Sequence, residues 1–293
     1  MKLKYVTFAA GLMVGAMHAQ ATLVVSPSTD ATAMTSTILG PGINVVSGTE
    51  NYIGATEQSG TFTGGLSAGL GFDSGLIMTS GDATLAPGPN SSDVANDLLG
   101  TAGDGDLDAL ITGSTTTNDA AVLEFEFRFG DGSIGGDLFF TFQFASEEYN
   151  EFVNSSYNDV FGLFVDGTNV AIAPNGDPVS INNVNCGNPL SGSGPNCGSF
   201  NNNDLDDGGP FFDIEYDGFT DAFVAQALGL GAGTHTMKFA IADAGDTDLD
   251  SAVFIQGGTF STEPPAQVPE PSSLALIGLG LLGIGATRRR KQA

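Results

Sequence analysis

Val122-Leu123-Glu124-Phe125-Glu126-Phe127-Arg128-Phe129 is the stretch on which the fold turns. Val122, Glu124, Glu126 and Arg128 alternate with Leu123, Phe125, Phe127 and Phe129, the two-residue period of a strand with one buried face. Residues 138–144 repeat the pattern, with Phe140, Phe142 and Phe144 on one face and Phe139, Thr141 and Gln143 on the other. Residues 160–165 read as a third strand, and 219–227, 234–242 and 252–260 as three more. Upstream, 43–46 and 71–81 have the same β-branched and apolar content between glycines. Residues 31–39 predict a short helix ended by Gly40-Pro41. Residues 93–99 predict one or two helical turns, with Asp93 as the N-cap. Strands separated by turns, without alternating helices, predict an all-β fold. The expected architecture is an antiparallel β-sandwich, jelly-roll-like. No internal repeat is visible.

Both ends have a different character. Met1-Lys2-Leu3-Lys4 is a basic start, 5–17 is apolar, and Ala19-Gln20-Ala21 is a small-x-small cleavage site. Residues 1–21 therefore read as a secretory signal peptide, with passage through the Sec machinery. At the far end, Val268-Pro269-Glu270-Pro271 and two serines precede a thirteen-residue apolar run, 274–286, which is closed by Arg288, Arg289, Arg290 and Lys291. A cationic stop after an apolar run is a membrane signal. Thirteen residues of helix span only about 20 Å against about 30 Å of hydrocarbon. The segment is a short transmembrane helix suited to a transient inner-membrane anchor. The divisions are then a signal peptide (1–21), a β-sandwich domain (22–262), a Pro-rich linker with the motif (263–271), and the helix with its basic tail (272–293).

Charge narrows the function. Between residues 22 and 268 only Arg128 and Lys238 stand against 33 acidic side chains, a net charge of −31. Such a surface repels nucleic acid and anionic lipid and attracts cations. Cys186 and Cys197 enclose ten residues rich in Gly, Asn, Ser and Pro. In an oxidising compartment they are expected to pair. Closing so short a loop stabilises by about 3 kcal/mol in the chain-entropy account.

Two acidic segments flank predicted strands. Glu147 and Glu148 leave one strand, and Asp159 precedes the next. Asp243, Asp246, Asp248 and Asp250 lie in a second loop. Calcium takes six to eight oxygens and tolerates irregular geometry, so these acids are the expected calcium ligands. The alternative is a solvated acidic loop beside Tyr149. Asp246, Asp248 and Asp250 have the spacing that begins an EF-hand, but Ser251 stands where the turn glycine belongs and Gly257 where the bidentate Glu belongs. Asp104, Asp106 and Asp108 fail in the same way, at Ala109 and Thr115. Enzyme signals are poor. Gly65-Leu66-Ser67-Ala68-Gly69 matches a nucleophile elbow without the α/β setting that motif needs. His235, alone on a strand, reads as structural. No enzyme is expected.

The tail resembles the PEP-CTERM sorting signal of Gram-negative bacteria. That resemblance implies recognition by an exosortase, cleavage near the motif, and delivery to the cell surface or extracellular matrix. Residues 75–81, Gly88-Pro89-Asn90, 144–149, Asp159-Val160-Phe161, and 235–255 with Ala242-Asp243 and Asp250-Ser251 together resemble the choice-of-anchor L domain. It implies a secreted surface domain and supplies no catalytic residues. The functional expectation is a structural or adhesive protein of the surface layer or biofilm matrix, stabilised by calcium, with exopolysaccharide as a partner. The rival is a carbohydrate-binding module. It would need exposed aromatics on a concave face, and the chain has no Trp and only Tyr52, Tyr149, Tyr157 and Tyr216 beyond its start.

Overall fold

A computed structural model describes residues 22–111 and 116–265. The expected signal peptide, the sorting motif, the C-terminal helix and the basic tail lie outside the described residues. No helix among the described residues is long and apolar enough to cross a membrane.

Two antiparallel sheets face each other. The eight-stranded sheet runs in the order β1 (Val24–Pro27), β4 (Ser59–Thr63), β5 (Ser74–Thr79), β15 (Ser251–Gln256), β7 (Gly136–Ser146), β12 (Gly218–Thr220), β11 (Phe200–Asn202), with β13 (Phe223–Leu230) also paired to β7. The seven-stranded sheet runs β10 (Val179–Ser180), β8 (Val160–Val165), β14 (His235–Ala244), β6 (Thr117–Phe129), β2 (Ile43–Val45), with β3 (Asn51–Ile53) on β6 and β9 (Thr168–Asn169) on β8. Four consecutively paired strands in each sheet, β5-β15-β7-β13 and β6-β14-β8-β10, frame the sandwich. Numbered along the chain, these eight fall in the order 1-8-3-6 and 2-7-4-5, which is the jelly roll.

The core follows from the alternation. Phe125, Phe127 and Phe129 from β6 meet Phe140, Phe142 and Phe144 from β7, with Phe239 and Phe260 among them. Edge-to-face pairs join Phe125 and Phe127 to Phe260 at 5.4 and 5.2 Å. Burying each ring contributes about 1.5–3 kcal/mol relative to exposure. The opposite face of β7 is buried as well. Its Ala145 packs with Phe62, Phe72, Ile214, Tyr216, Phe219 and Phe254 in a second apolar cluster. There Gln143 accepts from the Gly71 amide and donates to the Thr220 carbonyl. A third cluster, around Leu107, Val160, Phe164 and Ala240, covers part of the outer face of the other sheet.

Helix α1 (Ala31–Ile38) forms as expected, and Asp30 accepts from the Thr32 and Ala33 amides at its start. Three expectations are corrected. Residues 93–99 are not helical; Asp93 turns toward other acids instead of capping. The strand expected over 219–227 is interrupted at Asp221-Ala222, where β12 gives way to β13. The strand expected over 252–260 ends at Gln256, and Phe260 pairs separately with Leu39. Cys186 and Cys197 are disulfide-bonded, with Cα atoms 4.5 Å apart.

Candidate metal centre

The jelly roll brings six strand ends to one pole. β5 and β7 end beside the start of β15, as the pairs Thr79↔Ala252 and Ser146↔Ser251 show. β14 ends beside the starts of β6 and β8, through Ala244↔Thr117 and Ala242↔Val160. The two acidic segments, nearly a hundred residues apart in sequence, therefore meet.

Asp159, Asp243 and Asp250 are 0, 0 and 2 % exposed, and Glu148 is fully buried. Asp159 is held on both oxygens: Oδ1 accepts from the Ala244 amide at 2.9 Å and Oδ2 from the Ser251 hydroxyl at 2.7 Å. Asp250 Oδ2 accepts from the Asp97 amide at 3.0 Å. This approach requires Gly81, because a Cβ there would stand 1.8 Å from Asp250 Oδ2. Both oxygens of Glu148, both of Asp243, Oδ1 of Asp246 and Oδ1 of Asp250 have no hydrogen-bond partner. The Ser80 hydroxyl lies near Asp243 without reaching hydrogen-bond geometry. Asp248 is exposed and accepts from Asn96 at 3.3 Å.

Burial raises Glu148, Asp159, Asp243 and Asp250, and neighbouring acids raise each of them further. Glu148 is pushed up to about 10 by desolvation and then by Asp159, Asp246 and Asp248. Asp250 is pushed up to about 8, chiefly by burial. Asp159 reaches about 7 because its two donors offset part of the desolvation. Asp243 is raised well above the carboxylate range by burial and by Asp159. Protein cations do not relieve this. Lys238 binds Asp104 and Asp106 at 2.6 and 2.7 Å, and Arg128 donates to Thr234. These are the only Lys and Arg among the described residues. Buried like charges without a counter-charge are costly, and they are relieved by protons or by a bound cation. Oxygen-only donors of irregular arrangement fit calcium.

Glu147 departs from the expected grouping. It is 1 % exposed and faces Asp217 and Glu215 rather than Asp159. Sequence reading also missed Asp93, Asp204 and Asp217, whose carboxylate oxygens lie within 4.8 Å of one another. The alternate acids Asp213, Glu215 and Asp217 and the run Asp204-Leu205-Asp206-Asp207 were the available signals. Tyr149 does not cap a solvated loop; it is buried and donates to the Val184 carbonyl at 2.7 Å. Tyr216 is buried too, which leaves Tyr52 and Tyr157 partly exposed. A cleft of about 440 Å³ lined by Glu148, Asp246, Asp248, Phe152 and Tyr157 opens the acidic pole to solvent. Gly65-Leu66-Ser67-Ala68-Gly69 forms only a four-residue helix, Gly65–Ala68, with its C-cap. His235 makes structural contacts, to Asp166 at 2.7 Å and to the Gly231 carbonyl at 2.9 Å.

No curated protein and no solved structure matches the chain. Two families do. The PEP-CTERM protein-sorting motif matches residues 267–291, so the chain carries the signal for exosortase processing and export to the surface or exterior of a Gram-negative cell. The Choice-of-anchor L domain matches residues 24–261, the whole of the sandwich with its acidic pole, and the chain belongs to that family.

Proposed function

We propose that this exported, exosortase-sorted protein is a non-catalytic structural or adhesive domain of the surface matrix, with calcium holding its acidic pole together. The observation that carries the reading is the set of buried carboxylate oxygens on Glu148, Asp243, Asp246 and Asp250 that no protein donor meets. Outside the cell, these acids release their protons to solvent as their carboxylates bind the ion. The strand ends that carry them become cross-linked, which suits a domain that must hold its shape outside the cell.

A ligand that binds only the folded state stabilises by about 2.7 kcal/mol at a hundredfold excess over Kd. For a domain of this size that is about 5–11 °C in Tm. Calcium should raise Tm by this order over sodium of matched ionic strength, and Glu148→Gln should remove most of the increment. Equal shifts from calcium and sodium would leave the acids as a charged surface only.

A further inference from the structure

Asp93 comes from the segment after Asn90, and Asp204 and Asp217 from the two ends of the loop between β11 and β12. Asp217 Oδ1 accepts from Asn90 at 2.6 Å, and its Oδ2 has no partner although the residue is fully buried. Asp204 is 1 % exposed; its Oδ1 accepts from the Asp206 amide at 2.7 Å and its Oδ2 from the Asn150 amide at 3.2 Å. With the Asp207 amide also on Oδ1 and the Asn150 side-chain amide also on Oδ2, four donors fix this carboxylate beside Asp93 and Asp217. Asp93 Oδ1 is buried and unpartnered. Independently of these three, Glu147 reaches the same place from the end of β7. It is 1 % exposed, neither of its oxygens has a partner, and its carboxyl lies against that of Asp217.

The consecutive residues Glu147 and Glu148 thus serve different neighbours. Glu148 faces Asp159, Asp246 and Asp248, while Glu147 faces Asp217 and Glu215. We propose that Asp93, Asp204 and Asp217, with Glu147, form a second hard-cation site of calcium type, separate from the Glu148 centre. It shares with the proposed function the premise that buried acids here take calcium, and it adds a centre with a different task. One ion bound by these residues clamps the 90–97 segment and the 203–217 loop onto the end of β7. Apart from that ion, the 203–217 loop is organised largely by Asn203, which accepts from the Phe211 and Phe212 amides and donates to the Ile214 and Tyr216 carbonyls. Four carboxylates exceed the charge of one divalent ion, so the site prefers calcium to sodium and, being irregular, to magnesium.

The test counts bound calcium on the protein purified from the exporting cell, by equilibrium dialysis, for wild type, Asp93→Asn and Glu148→Gln. Asp93 is the variant of choice because it is only partly buried. The expected result is one calcium fewer per chain in each variant, from different sites, so that the double variant loses both. If Glu148→Gln lowers the count and Asp93→Asn does not, the second site is overturned and the first stands. If only Asp93→Asn lowers it, the first centre falls and the second stands. A second measurement needs no variant: calcium should slow proteolysis within 203–217 of the wild-type protein at least tenfold. Cleavage there at equal rates in calcium and in chelator overturns the clamp even if Asp93→Asn fails to fold.

Discussion

Two loops of this chain carry the same spacing of three aspartates and meet opposite fates. Asp104, Asp106 and Asp108 are satisfied by the protein itself. Asp104 Oδ1 caps the short helix Gly105–Asp108 by accepting from the Asp106 and Leu107 amides, and Lys238 lies against both Asp104 and Asp106. Asp108 Oδ1 accepts from the Thr117 amide and hydroxyl at 2.7 and 2.8 Å. Asp246, Asp248 and Asp250 have no lysine among their partners, and Oδ1 of Asp246 and of Asp250 is buried without a donor. Identical spacing therefore carries no ligand information by itself. What separates a capped loop from a candidate cation site is whether the fold delivers a positive charge to it: Lys238, more than a hundred residues away, does so for Asp104 and Asp106, and no lysine or arginine among the described residues does so for the other triplet.

The sharpest way to break this contrast is pH. Glu148, Asp217 and Asp250 are raised to about 10, 8 and 8, and Asp159 to about 7, by burial in every case. A carboxyl raised on folding holds its proton in the native state while the unfolded chain releases it near pH 4. Its contribution to stability is complete below about pH 4 and is lost as pH rises through the folded value. In chelator, Tm should therefore fall between pH 5 and pH 8, by on the order of 10 °C. On the proposed reading calcium displaces those protons, so its stabilisation should be small at pH 5 and largest at pH 8. A chelated protein equally stable at both pH values would mean that the acids are solvated rather than buried together.

How much of this could be read in advance depends on distance along the chain. The strand at 122–129 was legible because alternation is local and β6 obeys it, whereas β7 and β8 are buried on both faces and were legible from their apolar, β-branched and aromatic content. The jelly roll followed from the strand-and-turn composition. The meeting of Asp159 with Asp243 was not legible, because it depends on β14 pairing with β8 and β6. Asp93 illustrates the limit. Its type and position suit an N-cap, and local propensity favoured a helix over 93–99, but tertiary contacts with Asp204 and Asp217 prevail. Asp217 sits in Asp213-Ile214-Glu215-Tyr216-Asp217, where alternation shows that 213, 215 and 217 share a side but not that the side is buried.

The satisfied loop offers the complementary test. Lys238→Met removes the one cation from Asp104 and Asp106 and keeps the aliphatic stem over Phe164, whose ring centroid is 5.7 Å from the ammonium. The lysine side chain is 15 % exposed and Asp106 is 62 % exposed, so the cost should fall between that of a surface pair and a buried one, about 1–2 kcal/mol. Urea denaturation should show the same loss with calcium and with chelator. A loss that calcium repairs would mean that the Asp104 loop also takes the ion, and the contrast between the two triplets would collapse.

The smallest effect should come from His235, which gives the calcium-independent counterpart of the pH argument. The hairpin residue Asp166, at φ 49°, points back to the ring between β8 and β9. Both ring nitrogens face acceptors, Asp166 Oδ2 and the Gly231 carbonyl, an arrangement that favours the doubly protonated ring. Burial against Phe127 and Phe129 works against that charge, but the two acceptors outweigh it and the imidazole is raised above 6.5. A raised histidine contributes stability that is complete below its unfolded value and is lost as pH climbs through the folded one. His235→Gln should therefore cost more at pH 5.5 than at pH 8.5. Because Asp166 is 46 % exposed and solvent screens the pair, the difference should be at most about 1 kcal/mol. The measurement is urea denaturation of both proteins at the two pH values in saturating calcium, which keeps the acidic pole deprotonated throughout. A cost independent of pH would show that the ring is neutral and that its contribution is packing alone.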